Sequence, residues 1–388
     1  MDNILVLNLG TTSFKCKLFS CREDFRQMLA EGEVESVGAP SGRYVLRTAD
    51  GREQSGEISV RDHTQAMVHC LELMKKMDVL PGLEGLTAVG YKAVHGGSLS
   101  GTREVNRELM AEMERMTPLA PAHNPIYLRT MEQIARQFPG LRQVVRFETS
   151  FHAGVPDYRR VYGVPFQWQE WGIRKYGFHG SSHQYIGQTV PAGRVISCHL
   201  GGSSSVCAIL DGKSIAVSMG ATPQSGLFSN NRVGDFDIFC LPLLLEHYGT
   251  ADRVLEALSR QSGLLGLSGV SNDLREVMQA MEAGNSQAEL AVKALADNVL
   301  GYIGMYTAYL GGLDALVFTG GIGFGSGVLR QMVCEKLEYM GLRLDPGLNA
   351  GTGDGIISAK DSTVAVWRLK TNEELIVAGS VYDFLHKT

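Results

Sequence analysis

Short apolar runs alternating with glycine-rich breaks recur along the 388 residues. The chain opens with Ile4-Leu5-Val6-Leu7-Asn8-Leu9, turns at Gly10-Thr11-Thr12-Ser13 and continues Phe14-Lys15-Cys16-Lys17-Leu18-Phe19. Two β-prone runs on either side of a small-residue turn predict a hairpin. A similar unit returns in mid-chain, where residues 194–200 lead into Gly201-Gly202-Ser203-Ser204 and then residues 205–210. With Gly10 set over Gly201, Leu9 meets Leu200, Thr12 meets Ser203, Ser13 meets Ser204, Cys16 meets Cys207 and Leu18 meets Ile209. Such internal similarity predicts a duplicated lobe. A duplication would set the two turns face to face across a cleft, where backbone N–H groups and hydroxyls grip a polyphosphate.

Other segments follow a helical period. Apolar positions at three- and four-residue spacing predict helices over residues 63–77, 107–116, 124–138 and 286–309, whose Met and Leu stripes read as core. A third glycine cluster, Gly320-Gly321-Ile322-Gly323-Phe324-Gly325-Ser326-Gly327, follows the strand-like residues 315–318 and precedes a helical stretch over 328–340. Strand, glycine loop and helix together bring backbone close to a ligand at a helix N-terminus. The run has no Gly-Lys-Ser/Thr ending, so it is not a P-loop. No low-complexity linker separates the lobes. Their division is expected at 1–150 plus 375–388 for an N-terminal lobe and 151–374 for a C-terminal, nucleotide-binding one, with hinges near residues 150 and 371.

Composition narrows the picture by exclusion. A hydrophobic share of 44% with 20% charged residues is that of an ordinary globular chain. No apolar run is long enough to span a membrane, and the first residues lack a basic segment ahead of an apolar one. The seven cysteines form no CxxC pair, the pattern of reduced thiols in a cytoplasmic protein. A net charge of −5 gives no general attraction to nucleic acid or anionic lipid. Any phosphate must therefore be held by a local arrangement.

Three polar segments supply candidates for that arrangement: residues 90–97, residues 146–152 continuing at 176–183, and residues 230–237. Phosphoryl transfer needs cations for the equatorial oxygens, oxygen donors for a metal and donors aimed at developing charge. Lys92, Glu148, His179 and Arg232 supply that inventory. His95 and His183 read individually as satisfied structural histidines. No HExxH or comparable spacing points to a transition-metal enzyme.

Taken in order, these motifs resemble the acetate kinase family of carboxylate kinases. The resemblance runs from Asn8-Leu9-Gly10-Thr11-Thr12-Ser13 through His95-Gly96-Gly97, Ala122-His123-Asn124-Pro125, Gly177-Phe178-His179-Gly180 and Thr319-Gly320-Gly321-Ile322-Gly323, to Thr371-Asn372-Glu373-Glu374. It implies an α/β fold of two duplicated lobes, ribonuclease H-like as in actin, sugar kinases and Hsp70, flanking a cleft. It also implies Mg²⁺ or Mn²⁺, with ATP/ADP as co-substrate, and a homodimer formed through the C-terminal lobe. By position, Asn8 and Glu373 match metal-associated residues. Lys15, His199, Leu200, Gly201, Gly202, Ser203, Asp273, Leu274, Arg275, Gly321, Ile322, Gly323, Phe324 and Gly325 match nucleotide contacts. His179 and Arg232 match residues that stabilise the transferring phosphoryl group. Val94, Ala122, Phe178 and Pro223, with Lys92 beside them, match the pocket for the acid.

The chain also departs from the family pattern. Lys92 stands where the family usually has Arg, and Glu148 where it has Asp. Charge is kept but reach and geometry change, and the two changes offset each other if these side chains face one another. Ala122 replaces Leu, which favours an acid larger than acetate. Phe324 and Gly325 replace the family's Glu-Asn, altering the edge that meets the base. The sequence thus predicts reversible formation of an acyl phosphate from ATP, with pyrophosphate or GTP as alternative donors. A catalytically weak, ligand-sensing relative is the alternative outside enzymology.

Overall fold

A computed structural model describes residues 1–387. It contains two compact units, Met1–Ala153 with the segment from Asn372 onward (unit 1), and Gly154–Thr371 (unit 2). The sheet of unit 1 uses β1 (Asp2–Leu9), β2 (Ser13–Arg22), β3 (Phe25–Glu35), β4 (Gly42–Thr48), β5 (Glu53–Ile58), β6 (Ala88–Ala93), β7 (Thr102–Glu104) and β8 (Arg142–Phe147). Their spatial order is β5-β4-β3-β2-β1-β6-β8-β7. Unit 2 uses β9 (Arg194–His199), β10 (Ser205–Leu210), β11 (Lys213–Val217), β12 (Ala315–Thr319), β13 (Gly355–Ile356) and β14 (Ala365–Arg368), in the order β11-β10-β9-β12-β14-β13.

Apart from the added β4–β5 hairpin, the second sheet repeats the first strand for strand. In each, the opening hairpin is antiparallel, the next two strands lie parallel to its first strand, and a short antiparallel strand closes the edge. This is the duplicated ribonuclease H-like lobe expected from the internal similarity.

The register corrects one detail of that similarity. Asn8 pairs with Lys15 on β2, whereas His199 pairs with Ser205 on β10, so the second turn is one residue shorter. Leu5, Leu7 and Leu9 correspond to Ile196, Cys198 and Leu200, all core residues. Across the turn, however, Cys16 and Leu18 correspond to the core residues Val206 and Ala208, not to Cys207 and Ile209. A slip of one residue exchanges the faces of a strand, so the ungapped pairing matched opposite faces there.

The helices fall close to the predicted spans, at His63–Lys76, Arg107–Arg115, Asn124–Gln137 and Ser286–Leu310. The first, second and fourth are opened by side-chain caps from Asp62, Asn106 and Asn285. In unit 1, the first three cover one face of the sheet, while the helix Glu373–His386 covers the other with Val377, Ala378 and Val381. In unit 2, Ser286–Leu310 lays Val292, Leu295, Val299 and Ile303 against the sheet.

The third glycine cluster differs from expectation. Instead of a loop, Gly320–Gly325 forms a short helix, followed by a second helix at Gly327–Glu335. The Leu200 carbonyl accepts from the N–H groups of Ile322 (2.8 Å) and Gly323 (3.0 Å), which draws the run into a turn against β9. Gly320 makes this possible: its φ is +76°, and a Cβ there would lie 2.5 Å from the Leu200 carbonyl oxygen. Among the described residues, no helix is long and apolar enough to cross a membrane.

Candidate active site

Each unit presents its polar residues where its parallel strands end, the edge at which open α/β sheets bind ligands. In unit 1, Asn8 and Lys92 lie near the ends of β1 and β6, and Glu148 directly follows β8. Glu373 opens the helix that Asn372 caps. The Lys92 ammonium pairs with the Glu373 carboxylate, with both side chains largely buried. Burial opposes the charge on Lys92, but the carboxylates of Glu373, Glu148 and Glu374 outweigh it and hold the ammonium protonated well above its ordinary range. The ion-pair partner of Lys92 is thus Glu373, while Glu148 acts on it through the field.

Asn8, grouped with Glu373 in the sequence-based assignment, donates instead to Glu374 (3.3 Å), which also lies 3.4 Å from Lys17. Tyr127 joins β1 to β6, its hydroxyl accepting from the Leu9 N–H and donating to the Lys92 carbonyl at 2.6 Å. Among the described residues, no three His, Cys, Asp or Glu side chains are disposed to hold a metal by themselves. Mg²⁺, however, is typically held through one or two carboxylates together with water and substrate phosphates. The hard oxygens of Asn8, Glu373 and Glu374 fit that requirement. Of the remaining unit 1 candidates, Lys15 pairs with Glu33 at 2.7 Å, Val94 directly follows β6 and is half-buried, and Ala122 is exposed.

Unit 2 holds a cluster of histidines. His179 adopts a left-handed backbone (φ 55°, ψ 31°) just ahead of the helix Gly180–Thr189, a conformation that costs a non-glycine residue about 1–3 kcal/mol. Its Nδ1 lies 2.8 Å from Ser205 Oγ, and its ring stacks on His199 with centroids 4.2 Å apart. His199 Nδ1 is 2.8 Å from Ser182 Oγ. His183 is fully buried, and Ser197 and Ser205 engage its two ring nitrogens. Arg232 Nη1 donates to Ser203 Oγ at 2.8 Å, and burial lowers the guanidinium below its usual range. The same group lies 3.5 Å from the carbonyl of Pro223, while Phe178 is packed in the interior.

Beside these residues in unit 2, a cavity of about 730 Å³ is lined by Gly201, Gly202, Asp273, Leu274, Arg275, Gly321, Ile322 and Gly325 from the expected nucleotide set. Arg275 hydrogen-bonds Asp273 and holds its carboxyl down at about 2. Other members of the set lie elsewhere. Leu200 and Gly323 are buried, and their backbone groups bond each other. Ser203 turns to Arg232, and His199 to Ser182. The Phe324 ring lies under Arg368 and Lys370 rather than on the cavity wall, and its carbonyl accepts from the buried Arg330.

The structure also adds residues. Asn230, Asn272, Met278 and Val328 line the cavity. Asn230 belongs to a polar segment visible in the sequence; the others carry no comparable signal. Glu374 was legible only as the neighbour of Glu373. Ser205 opens β10 directly after the small-residue turn, and no role beyond that turn was legible for it.

Residues 3–379 match the model of the acetokinase family. An acetate kinase of Dictyoglomus turgidum is 41% identical, the match covering 97% of this chain and 96% of that one. A propionate kinase of Citrobacter rodentium is 38% identical, over 97% of this chain and 96% of that one. The crystal structure of Porphyromonas gingivalis acetate kinase superposes with a TM-score of 0.88 at 36% identity, covering 99% of this chain and 100% of that one.

Proposed function

The chain belongs to the acetokinase family and is a phosphotransferase with a carboxyl group as acceptor, and from that premise we propose that it uses ATP to phosphorylate, reversibly, a small carboxylic acid larger than acetate. The observation that carries the donor half of this reading is the unit 2 cavity, where two glycine turns and Asp273-Leu274-Arg275 converge. Backbone without Cβ atoms admits phosphate closely, and exposed N–H groups favour an anion.

In the forward direction a carboxylate oxygen attacks the terminal phosphorus of ATP. The new O–P bond is that of the acyl phosphate, and the bond to the ADP oxygen breaks with its electron pair. Arg232, braced by Ser203 Oγ, supplies fixed positive charge to the phosphoryl oxygens. His179, locked by its strained backbone and its hydrogen bond to Ser205, supplies a second donor. Lys92 is the cation for the acid or its phosphate, and Glu373 and Glu148 keep it charged. Bound Mg²⁺ or Mn²⁺ would supply neutralisation of the phosphate charge. Asn8 and Glu373, with Glu374 adjacent, are the residues to hold it.

The acid's size is read from Ala122, which is exposed in unit 1 and stands where the family resemblance implies Leu. Turnover of acetate, propionate and butyrate tests it: kcat/KM should rise from acetate to the longer acids by about 10-fold or more per methylene. Ala122→Leu should shift the preference back to acetate. A wild-type preference for acetate, unchanged in Ala122→Leu, contradicts this part of the reading.

Association into a homodimer through unit 2 is supported by Phe236, Ile238, Phe239 and Leu243, large apolar side chains exposed within one short segment. All seven cysteines are free thiols, which fits a reducing cytoplasm.

A further inference from the structure

Ser197, His183, Ser205 and His179 form a single line of hydrogen bonds inside unit 2. Ser197 Oγ is 2.9 Å from His183 Nδ1, His183 Nε2 is 2.8 Å from Ser205 Oγ, and Ser205 Oγ is 2.8 Å from His179 Nδ1. Ser197, His183 and Ser205 have no solvent exposure at all. Each neutral imidazole carries one proton on one of two nitrogens, and each hydroxyl has one proton to give. The line therefore has a direction, and one end of it decides the protonation pattern of the other.

That deciding end is Ser197. Among the described residues, the only side-chain hydrogen bond of its hydroxyl is to His183 Nδ1. A buried hydroxyl proton without an acceptor costs about 1–3 kcal/mol, so Ser197 donates to Nδ1. His183 then carries its proton on Nε2 and donates to Ser205 Oγ. Ser205, having accepted, donates to His179 Nδ1, and the proton of His179 stands on Nε2.

Resting on the phosphoryl-transfer reading above, we propose that Ser197, His183 and Ser205 are positioning residues that hold His179 in its Nε2–H tautomer. His179 is thereby a hydrogen-bond donor to an anion and not a base. The stacked His199 is set the same way. The fully buried Ser182 hydroxyl meets its Nδ1 at 2.8 Å, and its Nε2 lies 3.9 Å from the place a Cβ on Gly201 would occupy, at the glycine turn. Two stacked rings, inclined by 28°, thus present N–H groups of one polarity. This assigns a purpose to His183, whose full burial otherwise reads as packing, and to Ser205, which joins two imidazoles where an apolar residue would fill a strand position equally well.

Long-range ¹⁵N–¹H correlation spectra of the ¹⁵N-histidine-labelled full chain test the proposal, with resonances assigned from His179→Gln and His183→Gln. The wild type should show His179 protonated on Nε2. Ser205→Ala should mix its two tautomers and lower kcat about 10–100-fold while leaving KM for the donor nearly unchanged. Ser205→Thr, which restores the hydroxyl, should recover both. Ser197→Ala provides a second variant that touches neither His179 nor Ser205. It removes the hydroxyl whose donation favours the Nε2–H form of His183, so that bias is lost and His179 should move in the same sense.

A wild-type His179 protonated on Nδ1 overturns the proposal, as does an unchanged His179 tautomer in folded Ser205→Ala and Ser197→Ala. Failure of the underlying reading looks different. His179→Ala with normal turnover removes His179 from the reaction, whatever its tautomer.

Discussion

At the scale of single residues, Lys92 concentrates the most chemistry in unit 1. One ammonium is set against the carboxylates of Glu373, Glu148 and Glu374, in a largely buried position. Removing one partner of a buried ion pair leaves the other uncompensated, at a cost of about 3–5 kcal/mol. Lys92→Met should therefore lower the stability of the chain by that amount in urea unfolding, in addition to any loss of turnover. Lys92→Arg, which keeps the charge, should retain most of the stability. A Lys92→Met chain as stable as the wild type would show that the carboxylates do not depend on this ammonium. The residue types around Lys92 were legible in the sequence as a polar inventory, but the pairing was not. Glu373 reaches Lys92 only because the final helix returns to the first sheet, and no local periodicity encodes that return.

At the scale of elements, hairpins and long helices were legible because their apolar periods of about two and about 3.6 residues are distinct. The turn after β9 escaped for a different reason. An ungapped comparison cannot register a loop that is one residue shorter, and the resulting slip reversed the inward face of β10. The glycine cluster after β12 escaped as well, since glycine has poor helix propensity and its helix depends on a tertiary acceptor, the Leu200 carbonyl. That dependence predicts the effect of a substitution. Gly320→Ala places a methyl group 2.5 Å from the Leu200 carbonyl oxygen at a positive φ, so the turn must shift away from β9. Nucleotide affinity, read by calorimetry, should fall about tenfold or more, with a loss of stability of about 1–3 kcal/mol. Wild-type affinity and stability in Gly320→Ala would show that the turn neither depends on this contact nor shapes the cavity.

At the scale of the whole molecule, two units repeat one strand order with the same directions, and the first is completed by the last segment of the chain. The duplication was legible in the sequence from a handful of coincident positions around Gly10 and Gly201. The fold is that of the acetate and propionate kinases, matched over nearly the full chain. Within it, substrate identity is the least legible property, because the effect proposed for Ala122 depends on how neighbouring side chains fill the space. Transfer of a phosphoryl group from nucleotide to carboxylate is tested by trapping the acyl phosphate with hydroxylamine in the presence of Mg-ATP and a series of short carboxylic acids. Hydroxamate should form only when both acid and nucleotide are present, and should disappear in Arg232→Ala. No hydroxamate from any acid, with ATP, GTP or pyrophosphate as donor, would contradict such transfer.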